Sequence, residues 1–267
     1  MSTTGHDAGH DTGRQTVVMV HGLGSSGSFW ENLRPSLDTE FRVLTPDLPG
    51  HGPRATRLSR VRAHPRELAG WLVMQLRRDG VERPHLVGLS LGGWVVLEMA
   101  ALGFGASVVA LAPAGLWMEG ERVRSERAQA VLRRVLPLVN PLLAPLTASD
   151  TVKRVGLCSL VVDPGRVSHE QFLAAAIAFG QAKGYGICDW VAVRNRFEGA
   201  HKVRVPATVA FGDSDRVLPP RTSQNRALIP EGATFSVVDD CGHAMSWDQP
   251  GACLELIAET ASRGSPA

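Results

Sequence analysis

A serine, a histidine and an aspartate can together make a hydroxyl nucleophilic, and this chain offers each at a place suited to that work. The serine is Ser90, in Gly88-Leu89-Ser90-Leu91-Gly92, with a strand-like apolar run before it and a helical apolar run after it. A G-x-S-x-G segment in that setting forces an abrupt turn and leaves the serine hydroxyl exposed at its tip. Side chains two positions to either side would collide in such a turn, which accounts for the glycines. The hydroxyl then lies at a helix N-terminus, where the dipole and free N–H groups favour developing negative charge. A glycine-rich turn with an incidental serine is the plainer alternative, and the strand and helix flanks weigh against it.

The base must come from nine histidines. His243, in Cys241-Gly242-His243-Ala244-Met245, follows the last strand-like run. It stands after Ser90 and after the acidic candidates, which favours a general base over an ordinary surface histidine. Asp213 and Asp215 both follow the run ending at Phe211, and periodicity does not choose between them. Asp239 and Asp240 are too close in sequence to His243 to reach round to its ring. Attack by Ser90 on a carbonyl also needs N–H donors for the oxyanion. One is expected from Leu91, directly after the nucleophile, and one from Leu23 in His21-Gly22-Leu23-Gly24, where Gly22 and Gly24 let the backbone come close. A simple strand-end turn would explain the same loop. The donors are main-chain groups, so the leucine side chains are not diagnostic.

The elements that position these residues are legible as an alternation. Thr16 to Val20, Phe41 to Thr45, Pro84 to Gly88 and Ser107 to Leu111 are short apolar runs, expected as strands buried on both faces. Leu68, Trp71, Leu72 and Leu76 fall on one helical face, and Trp94 to Ala101 is apolar nearly all round. Near Pro113 the alternation stops. From about Leu116 to Lys202 the chain is rich in Ala, Leu and Arg and broken by Pro137, Pro141, Pro145 and Pro164, which predicts several short helices. Strands are expected again at Ala207 to Phe211 and Thr234 to Val238, then a helix with Cys253, Leu256, Ile257 and Ala261 on one face. The simplest arrangement is an α/β fold with a mostly parallel sheet, flanked by helices and interrupted by one helical insertion.

These segments resemble the α/β-hydrolase superfamily, in particular its small, capped, cofactor-free serine hydrolases of esterase and lactonase type. The resemblance runs from residue 16 to about residue 262. It is carried by HGLG at 21–24, DLPGHG at 47–52, GLSLGG at 88–93, GDSDRVLP at 212–219 and CGHAMSWDQP at 241–250, in the family's order. It implies that Asp215 is the acid, because the family's G-x-x-D is followed four residues on by a proline, here Pro219; Asp213 becomes a turn residue. It implies a structural turn at Asp47 and His51 rather than a catalytic one. Many relatives carry a serine after that turn, where this chain has Pro53 and Arg54. The family core also has two strands ahead of the strand that leads into the HG loop; only fifteen residues stand ahead of Thr16 here, and whether either strand is present is left open. Residues 16–115 and 203–267 correspond to the core and 116–202 to a helical cap over the active site, with 1–15 a disordered tail.

Composition narrows the remaining classes. The 267 residues carry a formal net charge of +2, too small a bias for a nucleic-acid footprint. Arg122, Arg124, Arg127, Arg133 and Arg134 interleave with Glu119, Glu121 and Glu126, as on a solvated helix face. No apolar run is long enough for a membrane span, and the N-terminus lacks a signal-peptide core. His6, Asp7, His10 and Asp11 lie in the tail with nothing to fix a metal geometry, so no metal and no organic cofactor are implied. Cys158, Cys188, Cys241 and Cys253 form no CxxC pair and read as reduced packing residues of a cytoplasmic protein. The expected partner is a small-molecule substrate; the oligomeric state is left open. The expected activity is cleavage of a carboxylic ester or lactone of a small, mostly apolar substrate through an acyl-enzyme. Trp94, Met245 and Trp247, next to catalytic positions, are expected to line its pocket, although packing alone would also explain the tryptophans. Arg194 and Asn195 are possible polar readers in the cap. Carbon–carbon bond hydrolases of the β-diketone or meta-cleavage type and thioesterases share the triad and form the alternative. Haloalkane dehalogenases and epoxide hydrolases are disfavoured, since those relatives carry Asp where Ser90 stands. A non-catalytic ligand-binding protein on the same fold is a different class, against which the complete triad weighs.

Overall fold

The computed structural model of the chain describes residues 13–53, 55, 57–120 and 140–265. Six strands form one sheet: β1 (Thr16–Val20), β2 (Arg42–Leu44), β3 (His85–Leu89), β4 (Ser107–Leu111), β5 (Ala207–Gly212) and β6 (Thr234–Val238). Their order is β2-β1-β3-β4-β5-β6, and every pairing is parallel. β3, β4 and β5 are buried along their whole length, as their unbroken apolar runs require. Among the described residues no strand precedes Thr16, so β2 closes one edge of the sheet and β6 the other.

Helices cover both faces. α1 (Arg34–Leu37) leads into β2. α2 (Pro65–Arg78) packs on α3 (Leu91–Ala101), which lies across β1, β3 and β4. The C-terminal helix (Pro250–Gly264) lies across β3, β4 and β5 and buries Cys253, Ile257 and Ala261. Between β4 and β5 run α4 (Asn140–Thr147), α5 (Asp150–Leu157), α6 (His169–Gln181) and α7 (Tyr185–Ala192). α6 starts on a capping box, in which Ser168 and Gln171 satisfy each other's backbone N–H groups. After β5 come α8 (Pro220–Ser223) and, after β6, α9 (Met245–Asp248), which makes the C-terminal helix α10.

Several boundaries differ from the sequence expectation for local reasons. β3 begins at His85 because Pro84 has no N–H to enter the ladder, although its carbonyl accepts from Ala106 at 2.8 Å. α3 begins at Leu91, directly after the turn, rather than at Trp94. On α2, Leu68, Leu72 and Leu76 are buried as expected, but Trp71 is 38% exposed and Ala69 and Val73 complete the inner face. The tail to residue 12, the arginines at 122, 124, 127, 133 and 134, Glu121, Glu126 and Pro137 lie outside the described residues.

Candidate active site

In an all-parallel sheet the loops after the strands leave from one edge. Ligands of open α/β sheets bind there, in the crevice where the strand order reverses. Here β2 and β3 flank β1 on opposite sides, so the crevice opens between the loops after β1 and β3. Those loops hold His21–Gly24 and Ser90.

Ser90 has φ 56° and ψ −116°, a left-handed conformation that a residue with a Cβ rarely adopts. Such strain costs on the order of 1–3 kcal/mol and persists only where its surroundings impose it. Three main-chain bonds do so: the Ser90 N–H donates to Leu111 at 2.9 Å, and the Ser90 carbonyl accepts from Trp94 at 3.1 Å and Ala114 at 3.0 Å. The glycines are steric necessities. A Cβ on Gly88 would strike the Gly92 carbonyl, and one on Gly92 would strike the carbonyls of Val20 and His21. Ser90 is half-buried, and its side chain makes no capping bond.

The HGLG loop closes against this turn, since a Cβ built on Gly22 would lie 3.4 Å from the Ser90 Cβ. Among the described residues neither the Leu23 nor the Leu91 N–H has a hydrogen-bond acceptor. His21 sets the loop. Its Nε2 accepts the Leu48 N–H at 3.0 Å, so its Nδ1 carries the proton and donates to the Gly22 carbonyl at 2.8 Å. Burial holds this imidazole neutral, with its pKa lowered to about 4. Asp47 stands 4.0 Å from Nε2, but that nitrogen has no proton to share, so the contact is not an ion pair. Asp47 instead accepts the Gly27 N–H at 2.8 Å. His51 is also buried and neutral, its pKa lowered to about 3 chiefly by burial and secondarily by His21. The 47–52 turn thus braces the loop after β1.

On the far side of the crevice, His243 Nδ1 meets Asp215 Oδ2 at 2.9 Å, and both side chains are buried. Burial alone would raise the Asp215 pKa. The charge and hydrogen bond of His243, with N–H bonds from Leu218 and Val217 at 2.8 Å each, outweigh it and hold the carboxyl below its usual range. Asp215 is therefore an anion at neutral pH. Asp213, the other candidate, is exposed and accepts the Cys241 N–H at 3.2 Å. Asp239 and Asp240 are exposed as well, and Asp240 pairs with Arg166.

The helical insertion touches each of these loops. Gly24, at φ 75°, has no room for a side chain because the rings of Phe179 on α6 and Tyr185 on α7 would lie 2.8 and 2.9 Å from a Cβ. Gly184 donates its N–H to the Gly50 carbonyl at 2.8 Å. Ala244, next to His243, donates to the Leu160 carbonyl at 2.7 Å. Asp248 ties the same place from below. Its buried carboxylate accepts the Gly242 N–H at 2.7 Å and the Val162 N–H at 2.9 Å. This acid was not singled out from the sequence; a carboxylate five residues after the loop histidine, in an otherwise apolar stretch, was the available signal.

The tentative pocket residues are placed unequally. Trp94 is fully buried, donates to Glu98 at 3.0 Å and meets Trp117 edge-on. Met245 is fully buried in the core. Trp247 packs on Phe29, with ring centroids 4.9 Å apart, and lines a small cavity with Ser25, Ser28 and Gln171 beside the HGLG loop. Arg194 and Asn195 lie on a separate cavity along α3. The four cysteines are free, and burial pushes the thiols of Cys188 and Cys253 up to about 12, so neither is a ready nucleophile. Among the described residues no cluster of metal-ligating side chains occurs, and no helix is long and apolar enough to cross a membrane.

The chain as a whole is similar to known proteins. The chain is similar to the epoxide hydrolase EphH of Mycobacterium tuberculosis, with 30% identity over 210 residues, 71% of this chain and 91% of that protein. Among solved structures it is similar to the enol-lactonase from Burkholderia xenovorans LB400, with a TM-score of 0.71 and 19% identity, covering 97% of this chain and 94% of that one. It is also similar to a thermophilic esterase from Thermogutta terrifontis, with a TM-score of 0.67 and 22% identity, covering 94% and 91%. At those identities the two structural likenesses speak for the fold. Residues 17–256 match the alpha/beta hydrolase family across nearly the whole chain, and the protein belongs to that family.

Proposed function

We propose that this hydrolase cleaves a carboxylic ester or lactone of a small, mostly apolar substrate through a Ser90 acyl-enzyme. The observation that carries the reading is the buried 2.9 Å contact between His243 and an ionised Asp215, at the same sheet edge as the strained Ser90. That bond fixes the proton on Nδ1 and leaves Nε2 free to act as a base. In the proposed reaction His243 takes the Ser90 proton as the hydroxyl oxygen attacks the carbonyl carbon. The Leu23 and Leu91 N–H groups hold the oxyanion. His243 then passes the proton to the leaving oxygen, and a water that it deprotonates attacks the acyl-enzyme to release the acid. Asp215 stabilises the imidazolium in both halves. The helices of 116–202 act as a cap, with Trp247 at the edge of the substrate space.

The epoxide chemistry named for one relative does not carry over easily. A serine opening an epoxide would leave an alkyl ether, which has no carbonyl for water to attack; an aspartate there would leave an ester. Labelling with a fluorophosphonate probe tests the nucleophile. Wild-type protein is expected to be labelled and Ser90→Ala not; equal labelling of both would sink the assignment. Nitrophenyl esters of rising acyl length then test the substrate class. Probe labelling without turnover of any of them would move the activity to a carbon–carbon bond or a thioester.

A further inference from the structure

A cavity lies away from the proposed triad, along the C-terminal half of α3. It holds about 500 Å³ between α3, the start of α2 and the segment that returns from α7 to β5. Glu98 lines it, eight residues beyond Ser90 and so about 12 Å further along the helix. The cavity is therefore not the substrate space proposed above.

Its chemistry is uneven. Trp117 supplies a buried aromatic wall, with its indole N–H already donated to the carbonyls of Ala192 and Asn195. Four permanent cations stand on the rim, Arg66, Arg194, Arg196 and Lys202, against two carboxyls, Glu98 and Glu198. Arg196 and Glu198 pair with each other at 3.8 Å, and Arg194 lies over the Trp190 ring at 4.3 Å. Among the described residues no carboxylate comes within 4.0 Å of Arg66 or Lys202. Glu98 faces them only through space: it is buried, its Oε1 accepts from Trp94, and burial pushes its carboxyl above the usual range against the opposing pull of Trp94, His64, Arg66 and Lys202. The concavity thus sets one aromatic wall, Trp117, among mostly polar and charged side chains with more cations than carboxylates, the composition of a site that holds an anionic group and seats a flat body beside it.

We propose that this cavity is a second small-molecule site, which takes an organic anion: a carboxylate or phosphate carried on a flat apolar body. The apolar body lies against Trp117, and the anionic group faces Arg66 and Lys202. Neither cation belongs to the catalytic machinery, so the site is separable from turnover.

Titration calorimetry on Ser90→Ala protein tests this with three probes of similar shape: naphthalene-1-carboxylate, 1-naphthyl phosphate and the neutral naphthalene-1-carboxamide. At least one anion is expected to bind tenfold or more tightly than the amide, and the tighter of the two identifies the head group. Arg66→Gln and Lys202→Gln, both at exposed positions, are each expected to weaken the anion about fivefold. Glu98→Gln keeps an oxygen for Trp94 and removes the competing acid, so it is expected to tighten binding severalfold. Equal affinity for the amide and both anions overturns the proposal, as does unchanged anion binding in the Arg66→Gln/Lys202→Gln double variant. A final arm uses wild-type protein after fluorophosphonate treatment. Anion binding that persists on labelled protein supports a separate site, and its loss on labelling assigns it to the substrate space. Failure of the probe to label at all would count against the Ser90 mechanism and leave the calorimetric result standing.

Discussion

The loops after β1, β3, β5 and β6 and the helices that lie on them hold their shape by different means. In the loops hydrogen bonds fix the groups that set the geometry, Ser90 by three main-chain bonds, His21 by two, Asp215 by His243 and two N–H groups, while the Leu23 and Leu91 N–H groups are left without an acceptor among the described residues. Three of the four described helices of the insertion have eight residues and one of these contains Pro145; they join the common core through Leu157, Phe172, Cys188 and Val191 and meet the loops through Phe179 and Tyr185 at Gly24, Gly184 at Gly50, and Leu160 and Val162 around His243. A reactive geometry tolerates little displacement, so the proposed function puts the chemistry on the tightly bonded sheet edge and the choice of substrate on the helices that lie against it.

Substitutions in the two regions should therefore fail differently. Ser90→Ala is expected to lower kcat on a responsive ester by about 10⁵-fold or more, with thermal stability little changed because alanine keeps the Cβ that strains this position. A residual rate within tenfold of wild type would place the chemistry elsewhere. Asp215→Asn should cost on the order of 10⁴-fold in kcat through loss of the correct histidine tautomer, with KM little changed. An equal loss in Asp213→Asn would break the distinction between the two acids.

Stability should depend on pH through the buried histidines. The fold keeps His21 neutral down to about 4 and His51 down to about 3, while the unfolded chain protonates both near 6.5. Between those values the unfolded state binds more protons, so stability falls as pH falls. His21 alone should cost on the order of 3 kcal/mol by pH 4. Urea denaturation at pH 7.5 and 4.5 reads the effect, and a flat profile would show that the rings are not buried neutral.

Two smaller effects probe the seam between the regions. Asp248→Asn leaves a shape match but replaces one acceptor oxygen of a buried group that takes the Gly242 and Val162 N–H groups. It should destabilise by about 1–3 kcal/mol and raise hydrogen exchange at 160–163 more than in β3. Uniform exchange across both would mean that the seam is no weaker than the core. Asp213→Asn, at an exposed turn, should change kcat less than tenfold.

What the sequence made legible follows this division. β3, Ser90 and α3 were readable because the turn demands glycine at two fixed places and apolar runs on both sides. His243 was readable by its place after β6. Asp215 was not separable from Asp213 by pattern alone; the family's trailing proline, here Pro219, distinguished them, and burial distinguishes them physically. Trp71 was assigned to the wrong side of α2 because its spacing fits the buried face while its size does not require burial. The cavity beside Glu98 escaped notice because it joins residues from α2, α3 and the segment at 193–202, which no local spacing connects. Asp248 was hidden for the same reason, since its partners at 162 and 242 come from two sides of the crevice.

The glycines of the elbow also define which variants of this protein can exist. A side chain at Gly88 or Gly92 would enter space already held by main-chain carbonyls, and repacking cannot move those as it moves a flexible side chain. Leu89 and Leu91 are buried, but they carry side chains already, so other apolar residues can take their places. A library randomised across the five positions and selected for folding should keep glycine at 88 and 92 and return its diversity at 89, 90 and 91. A laboratory lineage of this protein would then keep glycine at 88 and 92 in every folded descendant, whatever letters changed between them.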